Sequence, residues 1–255
     1  MHVSWAAASH PGKRRETNED SYCARPDLGL YVVADGMGGH VAGEVASRLA
    51  IEEIAAAIGS TAGNADAWPF TVDPVVGAGG SRLRDAFTRA NHRLAAAAAE
   101  NGTLRGMATT ASALLVGTDG AAALAHIGDT RIYLARDGRV ERLTDDHSWV
   151  QEQVRAGTLD TEAAERHPWR NVVTRALSGG EEPVVDLRNI PLRPGDRLLI
   201  CTDGLHGVIG ERRVSEVLDG DVADLQSLCD RLIAEANEAG GPDNITMIAL
   251  AVHAA

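Results

Sequence analysis

The chain has 255 residues, with 24 Lys and Arg against 36 Asp and Glu, a formal net charge of −12. That acidic balance repels phosphate backbones and argues against nucleic acid as a partner, and no apolar run is long enough to cross a bilayer. Three widely spaced cysteines, Cys23, Cys201 and Cys229, point to a reducing, cytoplasmic setting without a disulfide frame, and the N-terminus lacks the charged head and apolar stretch of a secretory leader.

In chain order, the N-terminal third reads as strand, strand, helix. A short strand candidate follows Asp20, and Leu28 to Ala34 is an apolar run that ends at Asp35-Gly36, as a buried strand entering a turn would. From Val41 the apolar positions Val45, Leu49, Ile54 and Ile58 recur at helical spacing. Gly59 to Gly80 mixes Gly, Asn, Asp and Pro and is expected to be a variable loop, and a second helix is expected over Arg82 to Glu100. Short β-rich runs follow at Thr110 to Val116, Ala121 to Ile127 and Arg131 to Ala135, separated by Gly-Asp and Asp-Gly pairs typical of hairpins. Thr144 to Gly180 turns polar and helical, with Trp149, His167 and Trp169 within it, and is expected to form a flap. Strands return at Val184 to Ile190 and Arg197 to Cys201. An amphipathic helix carries Val222, Leu225, Leu228, Cys229, Leu232, Ile233 and Ala236 on one stripe, and a strand from Ile245 to Val252 closes the chain. Helices interrupting runs of strands indicate an α+β protein with antiparallel sheets. The length suits a single domain over 1–255.

The distinctive feature is where the aspartates fall. Asp35 follows Leu-Tyr-Val-Val-Ala, Asp129 follows Leu-Ala-His-Ile-Gly, Asp203 follows Leu-Leu-Ile-Cys-Thr, and Asp243 precedes Asn-Ile-Thr-Met-Ile-Ala-Leu. A single Asp-Gly is ordinary turn punctuation; five acids, each against an apolar run, are another matter. Should their strands converge, the carboxylates would repel one another in a partly dry cleft and would need cations or raised pKa values. Hard divalent cations, magnesium or manganese, are the natural counter-charge.

The segments Arg15 to Asp20, Asp35 to Ser47, Gly106 to Thr110, Ile127 to Arg131, Thr202 to Leu205 and Gly240 to Thr246 together resemble the bacterial PPM-type (type 2C) metal-dependent Ser/Thr protein phosphatases. Asp-Gly-Met-Gly-Gly-His followed by Ala-Gly-Glu, combined with Gly-Gly-Pro-Asp-Asn, is a specific signature, and the matches follow the family's order over nearly the whole chain. The resemblance implies a four-layer αββα sandwich, two antiparallel β-sheets flanked by helix pairs, with a binuclear metal centre at one end. It implies that Asp20, Asp35, Asp203 and Asp243 hold two divalent cations, manganese or magnesium, with Asp35 as the bridge and the Gly36 carbonyl as a further ligand. Asp129 would help hold a third, weaker cation, and Arg15 would grip the substrate phosphate.

The implied reaction is hydrolysis of phosphoserine or phosphothreonine in proteins by a hydroxide shared between the cations, reversing a Ser/Thr kinase. His40, the histidine nearest the metal loop, is the candidate proton donor to the leaving group, the alternative being a residue that only caps the turn or contacts solvent. Phosphorylated proteins and a cognate kinase are the expected partners of a cytoplasmic monomer, without nucleic acid or membrane. His126, inside an apolar run, is expected to be a satisfied core residue, and His206 is left without a role. A cysteine-based phosphatase is excluded, because no cysteine is followed by arginine six positions later. A P-loop enzyme is excluded because Lys13 has no glycine-rich loop before it. A non-catalytic phosphoprotein-binding module on the same scaffold is disfavoured, since every expected carboxylate is present.

Overall fold

The computed structural model describes residues 1–39, 41–62, 72–221 and 224–254. Two antiparallel sheets face each other. One takes strands β1 (His2–His10), β7 (Arg131–Arg136), β8 (Arg139–Arg142), β10 (Arg197–Cys201) and β11 (Ile245–His253) in the order β1-β11-β10-β7-β8. The other takes β2 (Asp20–Arg25), β3 (Leu30–Met37), β5 (Ala111–Val116), β6 (Ala121–Ile127) and β9 (Asp186–Pro191) in the order β2-β3-β5-β6-β9, with the short β4 (Ala108–Thr109) paired to β3. Helices α1 (Ala42–Ser60) and α2 (Gly77–Glu100) cover the second sheet; α6 (Glu211–Asp219) and α7 (Leu225–Glu238) cover the first. The four-layer αββα arrangement is the one expected. Among the described residues no helix is long and apolar enough to cross a membrane.

Period-two alternation builds three apolar layers. On β3, Leu30, Val32 and Ala34 pack towards α1 and α2, while Tyr31 and Val33 face the opposite sheet. On β10, Leu199 and Cys201 pack against α6 and α7, while Leu198 and Ile200 meet the other sheet. Both faces of each central strand are therefore dry, which is why these strands read as continuous apolar runs rather than alternating ones.

Several elements depart from the sequence reading. The loop expected over Gly59 to Gly80 is shorter: α1 continues to Ser60 and α2 starts at Gly77. The glycines there are packing residues as much as punctuation, since a Cβ on Gly79 would meet the Ala123 side chain at 2.9 Å. Residues 63–71 of that loop lie outside the described residues. Asp35-Gly36 is not a turn, because β3 runs on to Met37, held by the pairing of Gly36 with Thr109 on β4. The N-terminal third has three strands, not two, since β1 pairs along its whole length with β11. The flap region holds only two short helices, α3 (Trp149–Arg155) and α4 (Thr161–Glu165). Between β10 and α6, helix α5 (Asp203–Ile209) was not anticipated. Val222 of the amphipathic stripe lies outside the described residues.

Candidate metal centre

The inter-sheet layer is apolar along most of its length and turns polar at one end. On β3 the inward sequence Tyr31, Val33 continues to Asp35, and Asp20 stands directly opposite it as the first residue of β2. On the facing sheet, Leu198 and Ile200 lead to Thr202, and Ile248 is preceded inward by Thr246. Thr202 Oγ1 donates to Asp20 Oδ2 at 3.0 Å across the sandwich, and the Thr246 N–H donates to Thr202 Oγ1 at 3.0 Å. Asp203 opens α5 immediately after Thr202, Asp243 precedes β11, and Asp129 lies in the β6–β7 loop. Five aspartates distant in sequence thus reach the same end of the sandwich because each strand ends there.

Backbone positions are fixed tightly. The Asp35 carbonyl accepts from Thr109 Oγ1 at 2.8 Å and from the Thr110 N–H at 2.9 Å. Asn244, buried beside Asp243, donates to the carbonyls of Pro11 and Thr17 and accepts from the Glu19 N–H, all within 3.0 Å. One side chain therefore ties the loop carrying Arg15 and Asp20 to the start of β11. Gly36 allows β3 to touch the first turn of α1: a Cβ there would lie 2.0 Å from the Gly43 carbonyl oxygen.

The electrostatics show the strain of bringing these acids together. Burial, reinforced by the charges of Asp20, Asp203, Asp129 and Asp243, pushes the Asp35 carboxyl well above the usual range. Burial lifts Asp20 to about 8 despite the hydrogen bonds from Thr246 and Thr202, and Asp203 and Asp243 add to the rise. Asp203 is raised to about 6 by burial and by Asp243. Asp129 is raised by burial and by Asp203 and Asp146, with Arg131 only partly offsetting them. At the mouth, a terminal nitrogen of Arg15 meets Asp243 Oδ2 at 2.8 Å, an ion pair that is half exposed on the arginine side.

Among the described residues, no group of three His, Cys, Asp or Glu side chains is closed into a ready-made ligand shell. Like charges without counter-charge stand apart, so the better test of fit is the chemistry of the donors. Asp20 Oδ1 is buried without any hydrogen-bond partner, a costly state for a carboxylate oxygen unless a cation meets it. Oxygen-only donors in a partly dry pocket suit hard divalent ions. The residues fit such ions.

The sequence profile of the protein phosphatase 2C family matches residues 11–241. The chain belongs to the protein phosphatase 2C family. It is 38% identical over 248 residues to the serine/threonine protein phosphatase PstP of Mycobacterium tuberculosis, covering 96% of this chain and 44% of that protein. The chain thus spans less than half the length of this curated relative. It is 34% identical over 247 residues to protein phosphatase PhpP of Streptococcus pneumoniae, covering 92% of each. Among solved structures, it resembles the catalytic domain of the serine/threonine protein phosphatase PstP in complex with two manganese ions, with a TM-score of 0.82, 35% identity and 99% of both chains covered.

Within this phosphatase 2C fold, Asp20, Asp35, Gly36, Asp129, Asp203, Asp243 and Arg15 all come to one end of the sandwich, whereas His40 lies outside the described residues. His126 is buried with both nitrogens engaged, by Ser112 Oγ at 2.8 Å and by the Asp145 carbonyl at 3.0 Å, and burial holds its pKa down to about 4. Sequence reasoning missed the residues that hold the Asp129 loop. His147 Nδ1 accepts from the Gly128 N–H at 3.1 Å, and the His147 backbone N–H donates to the Gly128 carbonyl at 2.7 Å. Arg131 forms a two-pronged pair with Asp146, at 2.9 and 2.7 Å. A cleft of about 540 Å³, lined in part by Asp129, Asp203, His206, Val150, Val154 and Arg170, opens from the carboxylates towards the flap. A larger cavity of about 1000 Å³ touches none of these acids; it borders Gly29, Leu115 and Asp119. The hairpin-end polarity of Ser112, Thr130, Thr202 and Thr246 was the available signal: each interrupts an inward apolar stride at the same end.

Proposed function

We propose that the chain is a metal-dependent phosphatase acting on phosphoserine and phosphothreonine in proteins. The observation that carries this reading is the group of mutually destabilising buried carboxylates, with the orphaned Asp20 Oδ1 among them, in a chain of the protein phosphatase 2C family. Asp20, Asp35, Asp203, Asp243 and the Gly36 carbonyl would hold two cations, manganese or magnesium, with Asp35 between them, and Asp129 would contribute to a third, weaker one. Manganese in the PstP catalytic domain supports that choice. When bound, such ions supply Lewis-acid charge and acidify a water near neutral pH.

The remaining chemistry belongs to the chain. Arg15 is a planar, permanently charged fork suited to phosphate oxygens, and its partial exposure leaves it reachable by a phosphoryl group on a protein surface. Thr202 and Thr246 fix the Asp20 carboxyl, and Asn244 fixes the loop that delivers Arg15, so the grip on phosphate is preorganised. His40 is the proposed proton donor to the serine or threonine oxygen. The opposing enzyme would be a Ser/Thr kinase, and the chain would work as a monomeric, single catalytic domain in the cytoplasm.

The test is phosphate release from p-nitrophenyl phosphate and a phosphothreonine peptide, with manganese, with magnesium and with chelator. Activity with either metal and none with chelator is expected. Turnover that survives chelation, or an inactive wild type, would overturn the reading.

A further inference from the structure

His206 follows Asp203-Gly204-Leu205 on α5. It is buried, and its Nε2 lies 3.0 Å from the Asp129 carbonyl oxygen. A carbonyl only accepts, so this nitrogen carries the hydrogen. His206 sits three residues after Asp203 on α5, which places both on one helix face. The helix that delivers one carboxylate therefore also grips the backbone of another.

The Asp129 carboxylate itself receives no side-chain hydrogen bond among the described residues; its placement depends on the loop that carries it. That loop is held on one side by His147 through Gly128 and, just beyond, by the Arg131–Asp146 pair. On the side of Asp203, His206 is the hold.

We propose that His206 is a positioning residue that presents the Asp129 carboxylate to a cation alongside Asp203, and so sets the affinity of the weakest cation site. The inference rests on the ligand assignment made under the proposed function, but it concerns cation affinity and can be read without turnover. Two roles for a buried histidine are separable by substitution. Phenylalanine keeps the ring volume and removes the donor. Glutamine places an amide N–H near the position of Nε2 and so keeps the donor.

The experiment uses the full chain, stripped of metal and titrated with manganese, with the free ion followed by electron paramagnetic resonance and folding followed by circular dichroism. The wild type should show tighter sites and one weaker site. His206→Phe should weaken the last site about tenfold, the loss expected for one well-made hydrogen bond. His206→Gln should restore it to within about threefold of wild type. In an Asp129→Asn background, His206→Phe should add no further change, because the carboxylate being positioned is gone.

A His206→Phe titration that matches wild type would overturn the proposal, as would a Gln variant no better than Phe or a wild type lacking the weaker site. A wild type that titrates as expected yet hydrolyses no phosphorylated substrate would instead count against the phosphatase reading and leave the role of His206 intact.

Discussion

Two regions of this molecule bury carboxylates, and they handle the charge in opposite ways. Along the flank of the first sheet, Asp146 is gripped by Arg131 through two hydrogen bonds, and Asp196, almost fully buried, is gripped by Arg136 at 2.7 and 2.6 Å. Although burial works against its charged form, the Arg131 guanidinium holds the Asp146 carboxyl below its usual range. At the end of the sandwich Asp20 and Asp129 are buried and Asp35 and Asp203 are partly buried, yet all four are pushed upward. The chain therefore supplies its own guanidinium wherever a buried acid serves the fold. Where it withholds one, the acids either hold their protons or take a counter-charge from outside. Arg15 pairs with Asp243 at the rim, and its charge, like that of Arg131 beside Asp129, only partly offsets the interior acids.

The largest expected effect breaks the unpaired region. Asp35→Asn should lower turnover of a phosphothreonine peptide at saturating manganese by about a thousandfold, the scale expected when a group central to transition-state charge stabilisation is lost. In chelator the same variant should unfold no earlier than wild type, because it removes one of several mutually repelling acids. A variant that loses activity and also melts early without metal would show that Asp35 is a structural acid like Asp146.

The matching cut in the paired region should do the reverse. Arg131→Met leaves Asp146 buried and unpartnered, and breaking such a pair costs about 3 kcal/mol or more. Thermal unfolding in chelator should fall by roughly 6–12 °C on the usual conversion for a chain of this size. Unchanged unfolding would mean that the bidentate pair contributes little and the comparison between the two regions fails.

Much of the paired-versus-unpaired contrast could not be seen in the sequence. The aspartates were legible because each ends an apolar strand, and the inner strands were legible from length and composition. Their supports were not. Thr202 reaches Asp20, Asn244 reaches Thr17, and His206 reaches Asp129, contacts that join segments far apart in the chain. Nothing local distinguishes such a threonine or asparagine from a turn residue. Arg131 and Asp146 likewise look like separate surface charges until the flap folds back on β7. β1 was missed because an Ala-rich edge strand with a single Trp carries neither period, and its pairing with β11 closes only when both ends of the chain meet.

The raised acids also predict how stability responds to pH. Asp20 and Asp203 keep their protons to about 8 and about 6 when folded, whereas in the unfolded chain an aspartate releases its proton near pH 4. Between these limits the folded state binds more protons than the unfolded one, so stability falls as pH rises. In chelator the melting temperature should therefore decline from about pH 4 to about pH 8, the window set by those values. Saturating manganese should flatten the decline, and its binding at pH 6 should release protons measurable by calorimetry in two buffers of different ionisation enthalpy. A melting temperature that rises through this window in chelator would show that these carboxyls are already neutralised within the fold.

The smallest effect sharpens the boundary between the two regions. Arg15 touches Asp243 at the rim, where solvent screens the pair, so it contributes little to stability. On the proposed reading its value lies in two-pronged recognition of phosphate. Arg15→Lys keeps the charge and loses the fork; a rise of about tenfold in KM for a phosphothreonine peptide is expected, with thermal unfolding unmoved. Were Arg15 instead a structural partner of Asp243, as Arg131 is of Asp146, the lysine variant would melt earlier and keep its KM. A shift in KM without a shift in melting would place the dividing line between structural and functional arginines at the rim, between the guanidinium that faces solvent and those that are sealed in.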